Sequence, residues 1–128
     1  MAIVTQTLVD SDFELVTKHT ISGTNGTALK VVDVSEVAGA ATNPRVSIVA
    51  VQWTVSSVTE IEWDATTNVT ALTLNANGAY NGSGQSLPSL ANNAGSGITG
   101  DVYIENDSAC VGTIILKMKK VSGFDNIS

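Results

Sequence analysis

Residues 45–56 read Arg-Val-Ser-Ile-Val-Ala-Val-Gln-Trp-Thr-Val-Ser, and no other stretch says as much about the fold. Val46, Ile48, Val49, Val51, Trp53 and Val55 are β-branched or aromatic, side chains that fit a pleated, half-buried surface better than a helix. From Val49 onward the apolar residues alternate cleanly, whereas before it they do not. Such a change of face predicts a central strand with a β-bulge near Ile48 and Val49.

Working toward the C-terminus, residues 58–64 keep the period of two. Ile61 and Trp63 share one face, and Glu60, Glu62 and Asp64 share the other. In residues 69–76, Leu72 and Leu74 alternate with Ala71, Thr73 and Asn75. Residues 77–97 are irregular and rich in Gly, Asn and Ser; a connection that long is usually functional or holds short strands of its own. Residues 98–105 place Ile98, Gly100, Val102 and Ile104 on one face, and Asn106-Asp107-Ser108 signals a turn. A long closing strand is expected over residues 109–120, with Ile114, Leu116 and Met118 on one side and Val111, Thr113 and Ile115 on the other.

Working toward the N-terminus, strand formers dominate residues 13–22, Asn25-Gly26 is a hairpin signal, and residues 28–34 read as the returning strand. A loop over residues 37–44 ends at Pro44, which has no ladder donor. Residues 1–12 read as an extended arm and 121–128 as a short polar tail, leaving 13–120 as the domain. No window has helical periodicity, so the expectation is an all-β chain. Half-apolar sheets must bury one face against another, which predicts a two-layer antiparallel β-sandwich of about eight strands, jelly-roll-like in its connections.

Composition narrows the function. The formal net charge is −6 over 128 residues, whereas phosphate recognition needs clustered Lys and Arg, so no nucleic-acid partner is expected. The basic run Lys117, Lys119, Lys120 reads as the solvated end of a strand. Cys110 is the single cysteine, which rules out an intrachain disulfide and suits a small buried hydrophobe. The N-terminus has no basic region followed by a long apolar run, and no segment approaches the ~20 apolar residues of a membrane helix. Synthesis in the cytosol, with no membrane partner, is the expectation. Sequons at Asn25, Asn68, Asn81 and Asn106 are what a chain rich in Asn, Ser and Thr produces by chance.

Catalytic constellations are thin. His19, the single histidine, lies inside a strand and is read as exposed; a triad or zinc site needs more than one His and one distant Cys. Glu60, Glu62 and Asp64 have a spacing that suits glycoside hydrolysis or a cation, but they also read as a solvated strand face. Gly78-Ala-Tyr-Asn-Gly-Ser-Gly matches neither a P-loop nor a dinucleotide fingerprint. Tyr80 with Trp53 and Trp63 raises a sugar-stacking platform, although alternation assigns both Trp residues to apolar faces. No enzyme, metal or cofactor is therefore expected.

The succession Ile61-Glu-Trp-Asp, a Thr/Leu strand, Gly78-Ala-Tyr-Asn-Gly, Leu87-Pro, Asn92-Asn-Ala-Gly-Ser-Gly, Ile98-Thr-Gly-Asp-Val-Tyr-Ile and Gly112-Thr-Ile-Ile-Leu-Lys-Met-Lys resembles small virion proteins of tailed bacteriophages, in particular head decoration (capsid cement) proteins. The likeness covers roughly residues 45–120 and is one of texture and order. It implies a β-sandwich on the capsid exterior, often a homotrimer, with the major capsid protein as partner. The expected contacts fall on the arm and the long loop: Ile3, Val4, Leu8, Tyr80, Asn81, Gln85 and Leu87. A carbohydrate- or receptor-binding virion module using Tyr80, Asn81 and Gln85 is the alternative.

Overall fold

The computed structural model describes residues 2–82 and 86–125, and among these the chain is all-β and antiparallel, as the alternation predicts. Seven strands follow in order: β1 Ala2–Asp10, β2 Glu14–Val32, β3 Ala40–Val55, β4 Thr59–Trp63, β5 Val69–Leu74, β6 Asn77–Tyr80 and β7 Val102–Phe124. A 3-10 turn, Val34–Glu36, is capped by Asp33, whose side chain accepts from the Ser35 N–H.

β7 organises the rest. On one side it pairs with β2 from Glu14↔Lys119 to Val32↔Val102. On the other, β3 takes its C-terminal half (Arg45↔Ser122 to Val55↔Gly112) and β4 its N-terminal half (Thr59↔Asn106 to Trp63↔Val102). β3 and β4 thus run in line along the same flank, interrupted only at residues 56–58. The three lines break at one level. The β2 register slips between Gly23 and Leu29, and on β7 it passes from Asn106 to Cys110. We call this level the waist.

A straight strand of 23 residues would span roughly 75 Å, while a compact chain of this length has a radius of gyration near 14 Å, so β7 has to fold back. Arg45 shows that it does. It sits opposite Ser122, near the end of β7, yet its Nη1 donates to Thr99 O at 3.1 Å, just before β7 begins. Likewise a cavity of about 140 Å³ is lined by Leu15 and Thr17 from the start of β2 and by Val31 and Val32 from its end. The ribbon doubles back at the waist and its two halves enclose one core that contains Leu15, Ile48, Leu116 and Met118 from one half and Ile61, Trp63, Leu74 and Ile104 from the other. Each such side chain contributes about 1.5–3 kcal/mol on leaving water.

The strands form one hydrogen-bonded sheet, not two separately bonded ones. Its longer half has the order β1-β2-β7-β3-β6, and β5 joins the other half through β4. The expected bulge is present as a register shift between Ile48 and Ala50. Several expectations need correcting. The N-terminal arm is edge strand β1, in register with β2 from Ala2↔Ser22 to Asp10↔Leu15. Asn25-Gly26 does not reverse the chain, because both halves of β2 run antiparallel to β7 and the turn residues serve the waist instead. Asn106-Asp107-Ser108 is the matching waist of β7. Residues 98–101 precede β7, and the polar tail is strand as far as the buried Phe124. The long irregular stretch holds β6 and an isolated bridge, Ile48↔Leu90.

Candidate functional site

The expected contact residues fall on opposite edges of the longer half of the sheet. On β1, Ile3 faces inward opposite Ile21 and packs on the core, whereas Val4 is 64% exposed and Leu8 45%. Leu8 stands at the register shift between Thr7 and Val9. At the other edge, four strands away, are Tyr80, Asn81 and Leu87; Gln85 lies outside the described residues. These groups do not assemble into one patch.

At the β6 edge the polar groups are consumed internally. Tyr80 Oη donates to Pro88 O at 2.6 Å. The Asn81 amide donates to Val49 O and Leu87 O and accepts from the Leu87 N–H, so it closes its own loop as a backbone segment would. Its φ of 57° is one that asparagine tolerates well. A sugar would have to compete with these bonds. Of the two tryptophans, Trp63 is core, while Trp53 is half-buried over Gly78 and donates its indole N–H to Asn75 O.

His19 is not exposed, as its sequence context suggests, but fully buried. Its Nδ1 lies 2.9 Å from Thr5 Oγ1 and its Nε2 2.8 Å from Thr17 Oγ1, so one ring nitrogen donates while the other accepts. Burial lowers its pKa to about 4, which keeps the ring neutral near pH 7. Cys110 is buried as expected, with Sγ 3.6 Å from Thr59 Oγ1. Lys117 and Lys119 are solvated, but Lys120 is not: its Nζ donates to Ser11 O and Ala38 O, pairs with Asp10 and sits 5.2 Å from the centre of the Phe124 ring.

The acidic row divides. Asp64 accepts from Thr99 Oγ1 at 2.6 Å, outside the group formed by the two glutamates. Glu60 and Glu62 are joined by Glu105, which register places opposite Glu60, and oxygens of all three lie within 4.8 Å of one another. Glu62 is only 7% exposed, so this is not a fully solvated face. Thr70 Oγ1 donates to Glu60 and Asn68 Nδ2 to Glu62. Burial, then the neighbouring Glu62, Asp107 and Glu60, raise the Glu105 pKa. Hard cations use oxygen clusters of this size, but the most buried member already has an amide donor, so the cluster assigns no ion.

One surface was anticipated only at Tyr80 and Asn81, which the sequence names as contact candidates and which line part of it. On the outer side of the longer half, opposite the core, a groove of about 440 Å³ is lined by Val16, Ala50, Ile115 and Ala79, with Gln52 and Lys117. Its residues come from β2, β3, β6 and β7, adjacent through Val16↔Lys117, Ala50↔Lys117 and Gln52↔Ala79. No strand shows more than three of them, so pairing had to be known before the groove could be found.

No protein-family model, curated protein or solved structure matches this chain. The likeness to decoration proteins therefore rests on the residues quoted for it.

Proposed function

We propose that this chain is a structural virion protein that binds the outside of a phage capsid and stabilises it, without chemistry of its own, by adding the edge of β1 to the major capsid protein. The observation that carries this reading is the edge itself. β1 pairs with β2 on one flank only among the described residues, and over its nine residues it has no Lys, Arg or Pro. Native sheets usually blunt such edges with those residues; a bare one with exposed Val4, Leu8 and Val9 is suited to strand addition by a partner. The bulge at Leu8 breaks the far end, so residues 2–7 form the regular pairing segment. The buried, threonine-clamped His19 supports a role without acid–base chemistry. A homotrimer on the capsid exterior is the assembly that the resemblance implies.

Cosedimentation with capsids tests it. Wild-type chain should pellet with particles, and the Val4→Lys/Leu8→Lys variant, folded by circular dichroism, should stay in the supernatant. Equal pelleting of the two would remove β1 from the proposal, and no pelleting of either would remove the capsid.

A further inference from the structure

Two apolar patches on the outer surface of this molecule carry opposite charge. The groove on the longer half is lined by Val16, Ala50 and Ile115, with Tyr80 and Asn81 at its β6 end. Its lysines lie on the same outer face: Lys117 opposite Val16, Lys18 opposite Ile115, and Lys119 two residues along β7 from Lys117. Glu14 offsets Lys117 in part, at 3.5 Å. At the waist the reverse combination occurs. Val58 is 50% and Val111 63% exposed, and the segments that carry them are joined: the Ser56 N–H donates to Val111 O, and Ser57 Oγ donates to the Ser108 and Ala109 carbonyls. The same segments carry Asp107, Glu105 and Glu60, the last two directly opposite in register.

We infer that the waist of one copy docks into the outer-face groove of the next, Val58 and Val111 meeting Val16, Ala50 and Ile115 while Asp107, Glu105 and Glu60 face Lys18, Lys117 and Lys119. The occupant is a second copy of this chain because both halves of the match, apolar centre and opposite charged rim, are on the one molecule. Packing the waist beneath lysines also relieves the crowding of carboxylates there, where Glu105 has Glu60 and Glu62 within 4.8 Å. Val111 lies on the same face of β7 as Ile115, four residues away, so two copies can meet reciprocally about a two-fold axis; repeated head to tail, the same contact closes into a ring or continues as a filament. A ring closed at three copies would be the trimer considered above. The contact uses neither the β1 edge nor any capsid surface and stands independently of the proposed function.

Charge reversal with complementation is the test. Lys18→Glu/Lys119→Glu makes both patches acidic; Glu60→Lys/Asp107→Lys makes both basic. Sedimentation velocity should show wild-type chain associating, with the complex weakened from low salt to about 0.5 M as exposed charges are screened. Each variant alone should associate at least about tenfold more weakly, since like charges now meet. An equimolar mixture should recover association, because each groove again finds a waist of opposite sign. Circular dichroism confirms that the variants are folded. Wild-type chain monomeric at low salt at every concentration tested, either variant associating as wild type does, or a mixture that stays monomeric would each overturn the inference.

Discussion

The ammonium of Lys120 lies 2.8 Å from the carboxylate of Asp10, and the lysine side chain is wholly buried while the aspartate is 24% exposed. Two backbone carbonyls, Ser11 O and Ala38 O, complete its donor shell. The cluster ties the β1–β2 turn, the segment before β3 and the end of β7 together. Removing one partner of a buried pair leaves the rest unsatisfied, which typically costs 3–5 kcal/mol; the partial exposure of Asp10 lowers that figure. Lys120→Met should lower stability by about 2–3 kcal/mol in urea unfolding. Asp10→Asn, which keeps an acceptor but loses the charge, should cost about half as much.

His19 makes stability depend on pH with a definite sign. Its pKa in the folded chain is about 4, below its ordinary value near 6.5. Above pH 6.5 the ring is neutral in both states and there is no penalty. As pH falls from 6.5 toward 4 the unfolded chain takes up a proton that the folded chain refuses, so stability falls, by up to about 3 kcal/mol. His19→Gln should lack this decline. Subtracting its urea midpoints from those of the wild type, pH by pH, isolates the histidine from the carboxylates; a flat difference would refute the assignment.

What the sequence conveyed, and what it withheld, follows from the range of the interactions. Alternation is local, so the all-β class, the shared face of Ile114, Leu116 and Met118 and the bulge at Ile48 were legible. Turn chemistry misled because Asn25-Gly26 and Asn106-Asp107-Ser108 have the same composition whether a strand reverses or merely bends. Only pairing partners distinguish the two, and those lie about 80 residues apart, as in Asn25↔Asn106. Lys120 and His19 were misjudged for the same reason. Their partners, Asp10 and Thr5, belong to a segment read as a free arm. Val4 and Leu8 are exposed as their placement in that arm suggested, but the sheet separates them from Tyr80 and Asn81.

Glu105 should be a position where removing charge stabilises. Burial and the nearby Glu62, Asp107 and Glu60 raise its pKa, which means that the folded chain holds its ionised form less readily than water does. Glu105→Gln keeps the size and removes the repulsion. At pH 7 it should raise stability by a few tenths of a kcal/mol to about 1 kcal/mol, the scale of partly exposed charge interactions. The pH dependence is opposite to that of His19: the wild type regains stability as pH falls through the raised pKa, so the benefit of the variant should shrink in acid. Chemical denaturation at pH 7 and near pH 4 reads both values, and a benefit that grows in acid would contradict the account.

Gly112 marks where the ribbon tolerates least. It is paired on both flanks, opposite Ile21 on β2 and Val55 on β3, at the last rung that β7 shares with β3 before the waist. A Cβ there would strike the Thr54 carbonyl oxygen and come within 2.9 Å of Val55 Cα, and both are backbone of a paired strand. Neither can move by rotating a side chain, so Gly112→Ala must push β3 off β7 where both enter the bend. Overpacking of this kind costs roughly 1–3 kcal/mol, and here the upper end is expected. Gly26, also at the waist but on β2, is the control. A Cβ at that position meets nothing within 4 Å. Gly26→Ala should therefore be neutral or stabilising by up to about 1 kcal/mol, because it restricts only the unfolded chain. Thermal unfolding of the two variants should place them on opposite sides of the wild type, and similar losses in both would mean that the waist needs glycine for freedom of the backbone rather than for the close approach of β3 and β7.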